Sequence, residues 1–334
     1  MAPLMIPLFI LAIGFAFLNG VHDSCNLVAT MISSRAIRPQ IALIITSIAE
    51  FCGPFIFGVA VANTIGHDIV AVEYLNVYMV IAALLGAIIW NVVTWLLGIP
   101  SSSSHALVGG LIGAVAAGAG FQQIQLAGVL KVIAYLFVSP IVGFITGMLF
   151  AQFIYLASWR ASPKINSLFK KMQIVTSLGL AMGSGANDAK KTMGIITMGL
   201  VITGFQKDFV VPFWVVLSCA LAISLGVSMG GYRLIKTLGA KFYKIRPVHG
   251  FASQAASAAV ILAASLLGGP VSATQVVSTA IMGVGAAERM SKVRWGVAGE
   301  IASAWLFTIP STALLAAGLY GFIHFAIPFI INLF

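Results

Sequence analysis

Two short polar stretches carry the residue types that could do chemistry. They are Asn19-Gly20-Val21-His22-Asp23-Ser24-Cys25-Asn26 and Gly183-Ser184-Gly185-Ala186-Asn187-Asp188-Ala189-Lys190-Lys191-Thr192. The second lies between the apolar runs 174–182 and 193–205. Aligning Asp23 on Asp188 sets Gly20 on Gly185 and His22 on Asn187. Carboxylates and side-chain amides are ligands for Na⁺ or H⁺, and an ionised carboxylate accepts from a protonated oxyanion. The pair reads as twin halves of one ion-binding site inside a membrane. A carboxylate at bilayer depth costs roughly 2.5–3.5 kcal/mol on insertion scales, so packing alone is a poor reason to keep Asp23 and Asp188. The bland alternative is a helix cap at shallow depth.

Composition supports the membrane setting. Hydrophobic residues make up 60% of the 334 residues and charged ones 8%, against roughly 25% charged in a soluble domain. Residues 74–130, 132–159, 247–287 and 301–334 contain no Asp, Glu, Lys or Arg. Each exceeds the roughly 20 residues that cross a bilayer as a helix. A β-barrel would show short alternating segments instead. The fold class is therefore all-α: a polytopic membrane protein of about 10–12 membrane segments. Residues 4–18, with no Lys or Arg before them, read as a first span rather than a signal peptide.

The net charge of +10 is not a nucleic-acid footprint. Basic residues gather in short loops: Arg35 and Arg38; Arg160, Lys164, Lys170 and Lys171; Arg233, Lys236, Lys241, Lys244 and Arg246; Arg289, Lys292 and Arg294. The positive-inside rule puts these loops in the cytoplasm and residues 66–73, which lack Lys and Arg, outside. Cys25, Cys52 and Cys219 are odd in number and lack metal-ligand spacing, so they read as inert small residues.

Each half carries a second kind of break. Gly98-Ile99-Pro100-Ser101-Ser102-Ser103-Ser104-His105 follows a clean apolar span, and Gly268-Gly269-Pro270-Val271-Ser272-Ala273-Thr274-Gln275 follows another. Gly and Pro stop a helix and the hydroxyl residues cap the next. Aligning Pro100 on Pro270 places Ser102 on Ser272, Ser104 on Thr274, His105 on Gln275 and Gly113 on Gly283. The chain thus divides into residues 1–158, a basic linker 159–172, and residues 173–334, with both breaks in the same order in each half. Duplicated, interrupted helices are the sequence pointer to a transporter built from repeats.

The expected chemistry follows. All four stretches read as broken or re-entrant helices, where glycines let backbone approach a ligand and helix N-termini attract an anion. Asp23, Asn26, Asn187 and Asp188 are candidates for the coupling cation. Ser103, Ser104, Ser272 and Thr274 offer hydrogen bonds to a small oxyanion, alongside Asp23, Asn26, Asn187, Asp188 and Lys191. His22 and His105 stand evenly between ligands and orienting groups. Glu50 and Glu300 read as satisfied interior acids near helix ends, with proton carriage by either as the alternative.

With those residues in place, the chain closely resembles the inorganic phosphate transporter (PiT) family, especially its short bacterial members. The first break is similar to that family's Asn-Gly-x-His-Asp-x-x-Asn motif and the second to its Gly-x-Asn-Asp-Ala-x-Lys motif. Residues 98–105 resemble its Gly-Ile-Pro-Ser-Ser-Ser-Ser-His run, and residues 270–275 its Pro-Val-Ser-Thr-Thr-His. Residues 229–239, 281–285 and 293–297 are further similar stretches. The resemblance implies two inverted repeats carrying inorganic phosphate across the cell membrane, with H⁺ or Na⁺ as coupling ion, no cofactor, and a homodimer. It implies that Asp23, Asn26, Ser103, Ser104, Asp188, Ser272 and Thr274 line the site.

Three residues depart from the family pattern. Gln275 stands where it usually has His, Cys25 where a small residue is common, and Lys190 where bacterial members usually have Gln. Lys190 adds a positive charge beside Lys191, to attract a dianion or to replace a coupling cation. Phosphate near neutral pH keeps a proton that an ionised Asp can accept, whereas sulfate has none. Two aspartates therefore favour phosphate, and its near isostere arsenate, over a sulfate or related oxyanion permease. An intramembrane aspartyl protease, the reading from another class, fails on the spacing from Gly183-Ser184-Gly185 to Asp188.

Overall fold

The computed structural model describes residues 2–58, 60–65, 69–99, 101–162, 164–230 and 245–331. Pro100, residues 66–68 of the expected outward loop, the basic residues Arg233, Lys236, Lys241 and Lys244, and most of the stretch 229–239 lie outside the described residues.

The helices are α1 (Ala2–Ser33), α2 (Pro39–Ile56), a short α3 (Ala60–Asn63), α4 (Val77–Leu97), α5 (Ser103–Gly118), α6 (Leu126–Ala157), α7 (Ile165–Ile202), α8 (Phe213–Met229), α9 (Pro247–Leu266), α10 (Ala273–Glu288) and α11 (Trp295–Ile331). Among the described residues, α1, α2, α4, α6, α9 and α11 are long and apolar enough to cross a membrane. Helices α5 and α8 are shorter apolar ones. Helix α7 has the length but carries Asp188, Lys190 and Lys191 in its interior. This is a multi-pass membrane protein, and its polarity is that of a soluble protein reversed. Asp23, Glu50, Asp188, Lys190 and Lys191 are buried, while Ile44, Ile48, Ile141, Leu149 and Phe153 are exposed. In α11 only 22% of the most apolar window is buried, against 61% in α9, so α11 faces lipid and α9 lines the interior.

The Asp-bearing stretches are not unwound. Residues 19–26 continue α1 and residues 183–192 continue α7 as unbroken helix. The expectation of broken helices fails at these two places because the glycines serve a different purpose. A Cβ on Gly20 would strike the carbonyl oxygen of Ile223 in α8, and one on Gly185 would strike that of Glu50 in α2. These glycines bring helix to helix rather than backbone to ligand. Reciprocal contacts complete each crossing: Gly226 of α8 meets Phe17, and Gly53 of α2 meets Met182. The register that puts Asp23 on Asp188 also puts Phe17 on Met182, so one joint is built twice. Farther along, Gly113 of α5 meets Ala313 of α11, and Gly283 of α10 meets Phe144 of α6.

The Pro-Ser stretches are true breaks. Gly98 takes φ +69° and ends α4 in the left-handed region that favours glycine, and Gly268 takes φ +73° just after α9. Ser102 caps α5 by accepting from His105 N, and Ser272 caps α10 by accepting from Gln275 N. Helices α4–α5 and α9–α10 are therefore two hairpins. The base of the first lies by the bridge between Val70 and Ile124. The base of the second is closed by Arg246 Nη2 donating to Glu288 Oε2 at 2.6 Å. Helix α6 starts just after Ile124 and ends near Tyr155 and Ser158, which line one pocket with Arg246 and Glu288. Its 32 residues, at about 1.5 Å each, separate the two bases by a membrane thickness, and the hairpins point at each other from opposite faces. Helix α6 runs through Pro140 without splitting into a pair. The basic stretch 159–172 is helical from Ile165 onward, as the opening turns of α7.

At the second base, burial works to raise the Glu288 carboxyl, but hydrogen bonds from Lys292 and Arg246 outweigh it and hold the group down to about 2. This charged cluster, with Arg160, Lys170 and Lys171 on the same end, marks that face as cytoplasmic.

Candidate functional site

Where the hairpin tips meet, helical periodicity sorts the polar residues of α1 and α7. Asp23 and Asn26 are three apart, as are Asp188 and Lys191, so each pair shares a helix face. Asn26 Nδ2 donates to Asp23 Oδ1 at 2.8 Å and to Thr274 Oγ1 at 3.0 Å. Thr274 Oγ1 itself lies 3.4 Å from Asp23 Oδ1. The first-half aspartate is thus tied to the tip of the second-half hairpin.

Lys191 is the centre of the other cluster. Its ammonium pairs with Asp188 Oδ1, donates to Ser104 Oγ at 2.5 Å, and donates to the Val271 carbonyl at 2.9 Å. Its three donors therefore reach α7, the tip of α4–α5 and the tip of α9–α10. Ser104 Oγ also donates to Val271 O at 3.1 Å, and Ser184 Oγ donates to Asp188 Oδ2 at 3.0 Å. Asp188 and Lys191 are 2% and 1% exposed. A pair this dry is held by its hydrogen bonds as much as by its charges, since desolvation offsets most of the Coulomb gain.

Some acceptors are left open. Asp23 Oδ2, both Glu50 carboxyl oxygens and Asn187 Oδ1 are buried without a hydrogen-bond partner among the described residues. Glu50 is wholly buried in mid-helix and lies within electrostatic range of Asp23 and Asp188. The one hydroxyl acting on it, Ser184, gives its proton to Asp188 instead, so the expectation of a satisfied interior acid does not hold for Glu50. Glu300, by contrast, is exposed. Buried, unpaired carboxylate oxygens beside two other acids are seats for protons or small cations.

Other candidates turn elsewhere. Ser103 Oγ donates to Asn19 Oδ1, linking the first tip to α1. Ser272 is engaged as a cap. Asn187 Nδ2 donates to Gly269 O at 3.4 Å. His22 packs against the α4 backbone at Asn91 and lines a cavity with Phe17, Trp95 and Met229, away from the carboxylates. His105 pairs its Nδ1 with Ser102 Oγ at 2.7 Å and sits 3.4 Å from Gln275 Nε2. Both contacts are met when Nδ1 carries the proton. Lys190 does not add its charge to the Lys191 cluster. It donates to Phe57 O and to Ser265 Oγ, each at 2.9 Å. One residue along a helix is a rotation of about 100°, which sends the two ammoniums to different walls.

Sequence reasoning missed Asn19, Ser184 and the Val271 carbonyl. Asn19 and Ser184 lie four residues before Asp23 and Asp188, a spacing that marks one face of each helix. A backbone acceptor such as Val271 O leaves no signal in residue types.

Two hairpin tips meeting between crossed helices, with buried acids and an ammonium at their junction, define a membrane carrier with an internal ion site. The PHO4 phosphate transporter family pattern matches residues 19–316. The chain belongs to the phosphate transporter family. It is 44% identical over 323 residues to a probable low-affinity inorganic phosphate transporter of Rhizobium meliloti, covering 95% of this chain and 96% of the relative. A Bacillus subtilis protein of the same description is 41% identical over 321 residues, at 95% and 96% coverage. A solved structure titled "The sodium-dependent phosphate transporter" superimposes with a TM-score of 0.87 at 25% identity, covering 96% of this chain and 99% of that one. These are transporters rather than enzymes. The protease reading also fails on geometry, because Asp188 is committed to Lys191 and Ser184.

Proposed function

We propose that this chain imports inorganic phosphate across the cell membrane by symport with a cation, Na⁺ or H⁺, through the junction of the two hairpin tips. The observation that carries the reading is Lys191, whose three donors tie α7 to both tips. An anion exchanged into this junction meets the Lys191 ammonium, the Ser104 and Thr274 hydroxyls and the Asn26 amide. Asp23, whose Oδ2 is open, accepts from the proton that phosphate retains, and Asp188 holds Lys191 in place. Arsenate shares that proton and sulfate does not. The coupling cation binds at the open oxygens of Asp23 and Glu50. The mirrored joints at Gly20–Ile223 and Gly185–Glu50 support two inverted repeats, α1–α6 and α7–α11, rocking against each other. In the two mirrored joints Glu50 takes the place that Ile223 has in the other, so the extra acid belongs to one repeat alone. The relatives' names and the sodium-dependent structural neighbour agree with this substrate and with cation coupling.

The test is uptake of labelled phosphate into liposomes under an imposed pH gradient and, separately, a Na⁺ gradient, with arsenate and sulfate as competitors. The reading expects gradient-driven uptake that arsenate blocks and sulfate does not. Glu50→Gln should still bind and exchange phosphate but lose most of the acceleration by the gradient. Sealed vesicles of folded protein that move sulfate and not phosphate would overturn the substrate assignment.

A further inference from the structure

Lys190 is fully buried, and its partners are unusual for an ammonium. They are one backbone carbonyl and one hydroxyl, Phe57 O and Ser265 Oγ, each at 2.9 Å. Among the described residues no carboxylate stands within ion-pair distance of it, and Asp188, two residues back, is paired with Lys191. Two helices end at this point. Phe57 is the residue that closes α2, and Ser265 lies in the last turn of α9. The C-terminal end of a helix presents free carbonyls and the negative end of its dipole, so two such ends meet at one positive charge. More oxygens surround the same turn. Gly268 O receives Thr64 Oγ1 at 2.9 Å, and Gly269 O receives Asn187 Nδ2. Asn187 Oδ1, one helical turn before Lys190, is buried and accepts nothing among the described residues. Carbonyl and hydroxyl oxygens at helix C-terminal ends are the ligand chemistry of a hard monovalent cation inside a membrane.

We infer that the Lys190 ammonium is a tethered cation filling a Na⁺ seat formed by Phe57 O, Ser265 Oγ and the ends of α2 and α9. A covalent charge cannot be released with the substrate. Cation coupling in this chain therefore runs only through the carboxylate sites, with this seat permanently occupied. The inference extends the symport reading above, but its binding test does not depend on transport.

Wild type, Lys190→Gln and the double variant Lys190→Gln/Ser265→Ala would be purified in K⁺ buffer. Bound radiolabelled Na⁺ per chain would be counted by equilibrium dialysis, and melting temperature followed as Na⁺ replaces K⁺. Lys190→Ser, which leaves room for a hydrated ion, takes the place of the Gln variant if that one does not fold. The expected result is that Lys190→Gln binds one more Na⁺ than wild type and gains roughly 2–4 °C of Na⁺-dependent stabilisation. The double variant should lose that gain. In liposomes the single variant should acquire a roughly 10-fold Na⁺ stimulation of phosphate uptake beyond the wild type's, the size of an ordinary coupling between sites. A folded Lys190 variant with the wild-type Na⁺ count would overturn the seat. So would a gain that survives undiminished in the double variant. An extra Na⁺ in Lys190→Gln, lost in the double variant, beside a wild type that moves no phosphate would instead sink the transport reading and leave the seat standing.

Discussion

Asp188 and Lys191 are in direct contact within a dry cluster, with the Asp23 carboxyl in electrostatic range of both, so their energetics are first those of a pair and not of two residues. Removing one partner leaves a buried charge uncompensated, which costs about 3–5 kcal/mol, whereas removing both costs far less than the sum. Asp188→Ala and Lys191→Ala are therefore each expected to lower the melting temperature sharply, and the double variant to recover part of the loss. Detergent melts of the three proteins check this, and additive losses would show that the two do not act as a pair. The same residues show what a single chain can display. Asp23, Asn26, Thr274, Asp188, Lys191 and Ser104 were legible because polar atoms are costly in an apolar chain and because the two halves repeat. Glu50 was undervalued, since a lone acid in an apolar run looks the same whether or not its oxygens find donors. The destinations of Lys190 and Lys191 were not legible either, because neighbouring residues diverge around a helix and only the tertiary packing says what each wall holds.

At the scale of elements, helix pairing decides what the glycines do. Gly20 and Gly185 sit beside aspartates in polar stretches, which in sequence suggested unwound backbone. Helix propensity penalises one glycine by only about 1 kcal/mol, and close packing across α1–α8 and α2–α7 offsets that, so both helices continue. The Pro-Ser breaks were read correctly, because a glycine at positive φ followed by a capping serine is a local signal that packing does not override. Gly185→Ala is the corresponding prediction. The new methyl would meet the Glu50 carbonyl, so α2 and α7 must part at the level of the carboxylates. An overpacking penalty of about 1–3 kcal/mol is expected, with phosphate uptake reduced more than Ala substitution at the open Gly179 or Gly318. Equal effects at all three positions would argue against a tight crossing.

For the whole molecule, two hairpins entering from opposite faces and meeting at one ammonium give a direct account of how a single site can face either side. In the transport cycle proposed above, opening toward one face would withdraw one tip while Lys191 keeps its contacts to Asp188 and the other tip. The long helices α6 and α11 hold each hairpin from outside through the joints at Gly283 and Gly113. The membrane class was legible from hydropathy alone, but the continuity of α1 and α7 through their polar stretches was not. The meeting of the two halves was not, because contacts such as Asn26 with Thr274 join residues far apart in the chain. The central claim is that phosphate binds where the tips meet, and equilibrium binding of labelled phosphate to the purified protein tests it most directly. Wild type should bind one phosphate per chain, displaced by arsenate and not by sulfate. Ser104→Ala and Thr274→Ala, one from each tip, should each weaken binding by roughly 5–10-fold for a lost hydrogen bond of about 1 kcal/mol or slightly more. Wild-type affinity in both of these folded variants would place the phosphate site elsewhere and contradict the account.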